Sequence, residues 1–186
     1  MKKILIFLLI LSNLSFAAQN LPVNSKELDK ILDQAFENID RGNTQKGVLI
    51  LKKKISEDPT EIIYKAILGS IYDGAGRKNE AEKEFDEAVR LQEKYPFIAG
   101  DGKKYDIRFM IGMFYSFTED YTSALKWLNQ VDEKEYNEMF KDEPELKDFL
   151  FGIFNYNDNN PEEAKKYLFK SSIHDKDGVS ENILGM

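Results

Sequence analysis

The stretch that decides the fold runs from residue 62 to residue 95 and reads IIYKAILGSIYDGAGRKNEAEKEFDEAVRLQEKY. Apolar residues recur in it at helical spacing, which predicts two amphipathic helices. Gly76 lies between them, at a tight turn where the backbone needs a positive φ that glycine adopts readily. Small residues at Gly69 and Ala81 allow the two helices to cross closely, while Tyr72 and Phe85 fill the space around that crossing.

The same frame recurs along the chain. Gly47 precedes Ala81 by 34 residues, and this earlier unit has Ala35 as its first small residue and Gly42 as its turn glycine. Two later units repeat the small residues at their predicted crossings, at Gly112, Ala124, Gly152 and Ala164. We therefore predict four helix pairs, which occupy residues 28–61, 62–95, 105–138 and 145–178.

The later units are spaced more widely than the first two. Ala81 and Ala124 lie 43 residues apart, and Ala124 and Ala164 lie 40 apart. Inserts are therefore expected around residues 96–102 and 134–144. No run of alternating apolar and polar residues predicts a strand.

Two polar segments have the composition of helix starts. Residues 58–61 read Asp-Pro-Thr-Glu and residues 160–163 read Asn-Pro-Glu-Glu. Each offers a capping side chain, a proline for the first turn and a glutamate near the positive end of the helix. We predict a helix that starts at each of them.

The motif Leu68-Gly69-x-x-Tyr72, followed by Ala81-x-x-x-Phe85, resembles the tetratricopeptide repeat, which has a period of 34 residues. The sequence departs from that pattern at Lys65, where an aromatic residue usually stands. Gly74-Ala75-Gly76 and residues 124–127 are also similar to the related Sel1-like repeats. The resemblance implies an all-α solenoid of about four antiparallel helix-turn-helix repeats across residues 28–178.

The resemblance further implies a concave groove lined by the first helix of each repeat. In such repeats the groove side chains lie three before, one after and four after the small crossing residue. In the second repeat these are Ala66, Ser70 and Asp73, so the middle of the groove is polar. In the other repeats they are mostly apolar, and the predicted partner-binding residues are Leu32, Phe36, Ile39, Phe109, Met113, Phe149, Ile153 and Tyr156.

An apolar groove needs an occupant, because a helix that is apolar nearly all round should be buried on every side. The favoured occupant is a helix or an extended segment of a partner protein. Alternatives are self-association, self-coverage by the inserts or by the tail at residues 179–186, and a small apolar ligand. Family members that clamp an acidic peptide C-terminus need basic groove residues, and these positions carry none.

The first residues have the order of a secretory signal peptide. Lys2 and Lys3 precede an apolar run at residues 4–11, and small residues at Ser15 and Ala17 suit cleavage after Ala17. The apolar run is shorter than the roughly 20 residues that a membrane-spanning helix needs, so no stable anchor is expected. We predict a signal peptide at residues 1–17, a lead-in at 18–27 and a periplasmic or secreted protein.

Composition excludes several function classes. The sequence has no cysteine, which excludes disulfides, thiolate metal sites, a cysteine nucleophile and a lipidated cysteine. Its net charge of −7 becomes more negative once Lys2 and Lys3 are removed, so nucleic acid is not an expected partner.

Nothing in the sequence suggests a catalytic centre. His174 is the one histidine, and it stands beside two aspartates in a segment of turn composition. No G-x-S-x-G motif or glycine-rich phosphate loop is present. We predict a protein without enzymatic activity, cofactor or metal, and an enzyme that uses carboxylates is the remaining alternative.

Overall fold

The computed structural model describes residues 23–99 and 102–173. The predicted signal peptide, the first half of the lead-in, His174 and the tail at residues 179–186 lie outside the described residues. The chain divides into two compact units, Met1–Ile111 and Gly112–Met186. Each unit is described by itself.

The described chain is built almost entirely from helices, so the predicted all-α repeat fold is confirmed. The first unit holds α1 (Val23–Asp40), α2 (Thr44–Glu57), α3 (Ile63–Gly74), α4 (Lys78–Leu91) and the strands β1 (Phe97–Ile98) and β2 (Lys104–Tyr105). Helix α5 (Ile107–Phe117) contains the boundary between the units. The second unit continues with α6 (Tyr121–Leu128), α7 (Glu133–Met139), α8 (Glu145–Asn157) and α9 (Pro161–Ser172).

Four helix pairs, α1–α2, α3–α4, α5–α6 and α8–α9, share one turn geometry. In every turn one residue has a positive φ, and these residues are Gly42 (79°), Gly76 (74°), Glu119 (64°) and Asn159 (59°). The next N–H donates to a carbonyl five residues earlier, as from Arg77 to Tyr72 at 2.8 Å. This is the Schellman closure of a helix C-terminus. It confirms the turn glycines, and it adds two turns that have no glycine at this position.

The glycines at the predicted crossings lie against the second helix of their own pair. A Cβ atom placed on Gly69 would lie 2.6 Å from Cε1 of Phe85, and one on Gly112 would lie 2.9 Å from Leu128. A Cβ on Gly152 would lie 2.6 Å from Leu168. These distances are far below ordinary van der Waals contact, so any larger residue would force the helices apart. The close crossings predicted at Gly69 and Gly112 are confirmed.

The first insert folds into a small β-hairpin, which the sequence analysis did not predict. Phe97 pairs with Tyr105 and Ile98 with Lys104 in an antiparallel ladder. Two residues per strand are too few to produce a readable alternation of apolar and polar residues. Both Phe97 and Tyr105 are buried, so the hairpin adds apolar side chains to the core of the first unit.

The second insert contains α7, which packs by way of a tyrosine. The hydroxyl of Tyr136 donates to the carbonyl of Leu128 at 2.8 Å. Its ring meets Phe151 of α8 edge to face, with 5.8 Å between centroids. The insert therefore lies against the last helix pair of the second unit.

One of the two predicted helix starts is wrong and the other is confirmed. Helix α3 begins at Ile63, and Asp58 instead ends α2, where its N–H donates to the carbonyl of Lys54 at 2.8 Å. The Asp58 carboxylate accepts from the N–H and hydroxyl of Thr60, a local turn that competes with helix formation. By contrast, α9 begins at Pro161 directly after Asn160, as predicted.

Candidate functional site

The predicted partner-binding residues all lie on the first helices of their pairs. In the first unit, α1 carries Leu32, Phe36 and Ile39, and the start of α5 carries Phe109. In the second unit, the rest of α5 carries Met113, and α8 carries Phe149, Ile153 and Tyr156. Their accessibility differs widely, and this decides which of them a partner could touch.

On α1 the three predicted residues are buried to different extents. Leu32 is buried, with 2% of its surface exposed, whereas Phe36 and Ile39 are half-buried. Ile39 lies at the crossing with α2, because a Cβ atom placed on Gly47 would lie 2.8 Å from Cγ1 of Ile39. Of these three residues, Phe36 is the one that is half-buried and does not lie at the crossing of α1 with α2.

The polar groove positions of α3 are satisfied within the first unit. Ala66 is fully buried, and the hydroxyl of Ser70 donates to its carbonyl at 3.0 Å. The carboxylate of Asp73 accepts from Nζ of Lys78 at 2.7 Å. These contacts belong to the helix pair itself and leave no cluster of polar groups directed at a ligand.

Helix α5 buries both of its predicted groove residues. Phe109 is 5% exposed and Met113 is 7% exposed. Within the first unit the ring of Tyr105 stacks on Phe109, with 6.0 Å between centroids. Tyr105 belongs to the second strand of the β-hairpin, although the sequence pattern predicted that residue 105 begins the third helix pair.

Helix α8 is apolar on two opposite faces, and only one of these faces is buried. Phe151, Gly152 and Phe154 are buried, and they meet Tyr167, Leu168 and Tyr121 of the neighbouring helices. The residues of the opposite face recur at helical spacing, and we call them the α8 stripe: Leu146, Phe149, Leu150, Ile153 and Tyr156.

The α8 stripe keeps exposed apolar surface along its whole length. Tyr156 is 55% exposed, and the other four residues are half-buried. The sequence analysis selected Phe149, Ile153 and Tyr156 but missed Leu146 and Leu150. A rule of three positions per helix omits them, whereas Leu146 lies three residues before Phe149 and Leu150 three before Ile153, a helical spacing that would have identified them.

Several residues at the start of α8 are charged. Glu145 and Asp148 lie in the first turn of α8, and the exposed Glu143 lies before Pro144, two residues ahead of the helix. The one basic residue of α8, Lys147, is engaged elsewhere: its ammonium donates to Glu133 and lies 4.9 Å from the ring centroid of Tyr136. Asp148 precedes the buried Phe151 and Gly152 by three and four residues, so it lies on the face opposite the stripe, whereas Glu145 lies four residues before Phe149 and is next to the stripe.

Other large apolar side chains are exposed singly or in a pair. Leu49 and Ile98 are isolated, whereas Phe169 and Ile173 are one helical turn apart, at the end of α9 and just after it. Scattered exposed apolar residues are normal on protein surfaces. The α8 stripe differs from them because it joins five residues on one helix face.

Elsewhere in the first unit, polar groups stabilise the helix pair. The guanidinium of Arg77 lies 4.3 Å from the ring centroid of Tyr72, whose buried hydroxyl has no hydrogen-bond partner among the described residues. Arg77 also donates twice to Glu80, and this hydrogen bonding lowers the pKa of the Glu80 carboxyl. These contacts surround the α3–α4 turn, where residues 76–80 line a shallow, open depression.

Within residues 23–99 and 102–173, no three histidine or acidic side chains come together as they would around a metal ion. No helix in the same described ranges has the length and apolar character to cross a membrane.

Two comparisons with known proteins bear on identity. No curated protein matches this chain. A family model described as tetratricopeptide repeat matches residues 64–95 and 105–133. These segments contain the α3–α4 and α5–α6 pairs, so the predicted resemblance is supported for the second and third units. Such repeats are typically non-enzymatic scaffolds that bind other proteins on extended surfaces. The described chain therefore has a helical repeat fold, and these two segments are similar to tetratricopeptide repeats.

Proposed function

We propose that this protein is an exported, non-enzymatic scaffold whose α8 stripe binds an apolar helix or extended segment of another protein. The proposal places the complex in the periplasm or outside the cell, since residues 1–17 have the composition of a cleaved signal peptide. The two segments that are similar to tetratricopeptide repeats support the protein-binding part of the proposal.

The observation that carries the proposal is the second apolar face of α8. One face already packs on the rest of the second unit, through side chains such as Phe151 and Phe154. An α-helix that only needs to pack inward has a polar outer face. The outer face of α8, with its five apolar residues, is therefore more apolar than inward packing of the helix requires. Contiguous exposed apolar surface commonly marks an interaction site.

The proposal assigns different tasks to the eight residues selected from sequence. Phe149, Ile153 and Tyr156 contact the partner, with Tyr156 as the aromatic anchor. Phe36 of α1 is a separate accessible position in the first unit. The other four, Leu32, Ile39, Phe109 and Met113, support the fold from within, because they are buried or lie at a helix crossing.

The test uses a photoactivatable amino acid in place of Tyr156 in the exported protein. We expect cross-linking to a second protein that can be purified and shown to bind directly. The matched control places the same amino acid at Phe169, which is similarly exposed but lies on α9. Equal cross-linking of the same protein from both positions would contradict the assignment of the α8 stripe.

Two further outcomes correspond to the alternative functions. A cross-link between two copies of the chain would indicate self-association. A cross-link confined to one copy would indicate that the chain covers the α8 stripe itself. N-terminal sequencing of the exported protein tests the location, with Ala18 as the expected first residue. Recovery of an intact Met1 from the cell envelope would contradict the export of a cleaved protein.

A further inference from the structure

We infer that the tail at residues 179–186 packs as a short helix on the α8 stripe and competes there with the partner protein. The inference rests on the proposed function and adds a regulatory contact at the same site. Three observations support it: the place where the chain leaves α9, the length of the polar segment before the tail, and the spacing of the apolar residues within the tail.

The chain leaves α9 beside the start of the α8 stripe. The hydroxyl of Ser171, in the last turn of α9, donates to the carbonyl of Glu145 at 3.2 Å. Glu145 is the first residue of α8 and directly precedes Leu146, the first residue of the stripe. The residues that follow Ile173 therefore start near the Leu146 end of the stripe.

A polar segment separates Ile173 from the tail. Residues 174–178 read His-Asp-Lys-Asp-Gly, a composition that favours turns and contains no apolar side chain to bury. Val179 lies six residues after Ile173, and an extended chain covers at most about 20 Å over six residues. A helix with its side chains is about 10–12 Å in diameter, so this segment is long enough to pass around the start of α8 to the stripe.

The tail carries apolar residues at the spacing of one helix face. Val179, Ile183 and Met186 follow the pattern i, i+4 and i+7, and Leu184 adds a fourth apolar side chain next to Ile183. At about 1.5 Å of rise per residue, a helix from Val179 to Met186 is about 10 Å long. The stripe extends about 15 Å on the same scale, so the tail covers about two-thirds of it, from the Leu146 end.

The surface of the stripe favours a helical tail over an extended one. The stripe presents four hydrocarbon side chains and one phenol, so it offers almost no hydrogen-bonding groups. An extended tail would bury backbone N–H and C=O groups against hydrocarbon without partners, which costs free energy. A helix satisfies its own backbone groups and directs one apolar face at the stripe.

The other exposed apolar surface near the end of α9 is smaller. Phe169 and Ile173 offer two apolar side chains, whereas the α8 stripe offers five. The exposed Lys165 and Lys166 lie four and three residues before Phe169, so they are its neighbours on the helix surface. Four apolar side chains of the tail are therefore buried more completely on the stripe than on α9.

The contact is weak in itself and acts through the linkage within one chain. A helix of eight residues is marginal in water, so the tail gains its order on the stripe. A short linker gives the tail an effective concentration on the order of mM, at which a weak contact is well populated. The tail then lowers the apparent affinity for a partner in proportion to the time that it occupies the stripe. Tyr156, at the far end of the stripe and 55% exposed, remains available for the first contact with a partner.

The first experiment traps the tail contact as a disulfide in the full mature protein, whose sequence has no natural cysteine. Leu150→Cys with Ile183→Cys places one thiol in the middle of the stripe and one in the tail. The matched control, Phe169→Cys with Ile183→Cys, keeps the tail thiol and moves the other to the exposed side of α9. Disulfide formation within one chain is followed by non-reducing electrophoresis after addition of an oxidant. We expect the stripe pair to close at least about fivefold faster than the control, because a disulfide needs closely spaced Cβ atoms.

The second experiment measures competition with a synthetic amphipathic peptide about three turns long, with a leucine stripe and an uncharged polar face. Fluorescence anisotropy should show at least about threefold tighter binding to Ile183→Ser with Leu184→Ser than to the intact protein. Glu181→Gln is the matched control, because residue 181 lies opposite the apolar face of the tail helix, and it should leave the affinity unchanged. Ile153→Ser with Tyr156→Ser should weaken binding at least about tenfold.

Several results would overturn the inference and leave the proposed function unaffected. Equal closure of the two cysteine pairs would show that the tail has no preference for the stripe, and faster closure of the control would assign it to α9. A disulfide that joins two copies would assign the stripe to the tail of a neighbouring copy. Rapid closure with equal peptide affinity for the intact protein and the tail variant would refute the competition.

Failure of the proposed function has a different outcome. In that case the peptide binds neither the intact protein nor the tail variant, and no partner is cross-linked at Tyr156. Rapid closure of the stripe pair would then identify the tail as the permanent cover of the stripe, and slow closure would refute the tail contact as well.

Discussion

Replacement of Gly69 by alanine is a direct test of the close helix crossing in the α3–α4 pair. The added Cβ would lie 2.6 and 2.7 Å from two ring carbons of Phe85. Carbon atoms prefer a separation of about 3.5–4.0 Å, so the ring must move by about 1 Å. Phe85 is 2% exposed and has no open space to move into. The substitution therefore strains the ring or separates α3 from α4.

The expected magnitude follows from two opposing effects. Overpacking of a core position costs about 1–3 kcal/mol of unfolding free energy. Alanine is favoured over glycine inside a helix by about 1 kcal/mol, which offsets part of that cost. Gly74, at the end of the same helix, supplies the control because a Cβ there meets nothing within 4 Å and its φ is not positive. The difference between Gly69→Ala and Gly74→Ala isolates the overpacking cost of about 1–3 kcal/mol.

Urea denaturation followed by circular dichroism at 222 nm is the appropriate assay. Tryptophan fluorescence is less suitable because the one tryptophan, Trp127, belongs to the second unit while Gly69 belongs to the first. In a thermal scan, each kcal/mol should lower the Tm by about 2–4 °C for a chain of this size. If Gly69→Ala is as stable as Gly74→Ala, the close approach of Phe85 to Gly69 is refuted.

Three further perturbations test other parts of the fold. Tyr136→Phe should cost about 1 kcal/mol in urea denaturation, because the carbonyl of Leu128 loses the hydroxyl and keeps the N–H of Val131 at 3.1 Å; an unchanged stability would mean that water replaces the hydroxyl. Asp120→Ala should cost about 1 kcal/mol, because the Asp120 side chain caps α6 by accepting from the N–H of Ser123; Asp120→Asn is the control that preserves the cap. Hydrogen bonds from Thr60 hold the pKa of Asp58 below its usual value, so the folded state favours the carboxylate. Its stabilising contribution is therefore complete above the unfolded pKa and is lost as the pH falls through the lowered folded pKa. Asp58→Ala should flatten the acid side of the stability profile, and an unchanged profile would contradict this role.

Much of the fold is readable from sequence because close helix crossings restrict residue type. The structure leaves no room for a side chain at Gly69 and Gly112, so glycine at these positions in the sequence indicates a close helix crossing. The β-hairpin at Phe97 and Tyr105 was not predictable in this way. Its two-residue strands are shorter than the window over which periodicity can be recognised.

The candidate site was less predictable, because exposure depends on the tertiary surroundings of each side chain. Phe109 and Phe149 each lie three residues before the crossing glycine of their repeat, yet Phe109 is 5% exposed and Phe149 is half-buried. Phe109 is covered in part by Tyr105, which lies on a β-strand that the sequence pattern did not predict. Helical spacing identifies the face on which a residue lies, and it carries no information about what covers that face.

Because the four helix pairs share one turn geometry, the turn of one pair can replace the turn of another. Glycine, glutamate and asparagine all occupy the left-handed position, and the closing hydrogen bond is the same in each case. The connection therefore sends the second helix back along the first at a fixed angle, whichever residue is present. A chain built in this way can be extended by duplication of a whole pair without redesign of the junction within it. The same property would let an engineer exchange residues 118–119 for residues 75–76, with Asp120 kept as the cap of α6, and expect the pair to close unchanged.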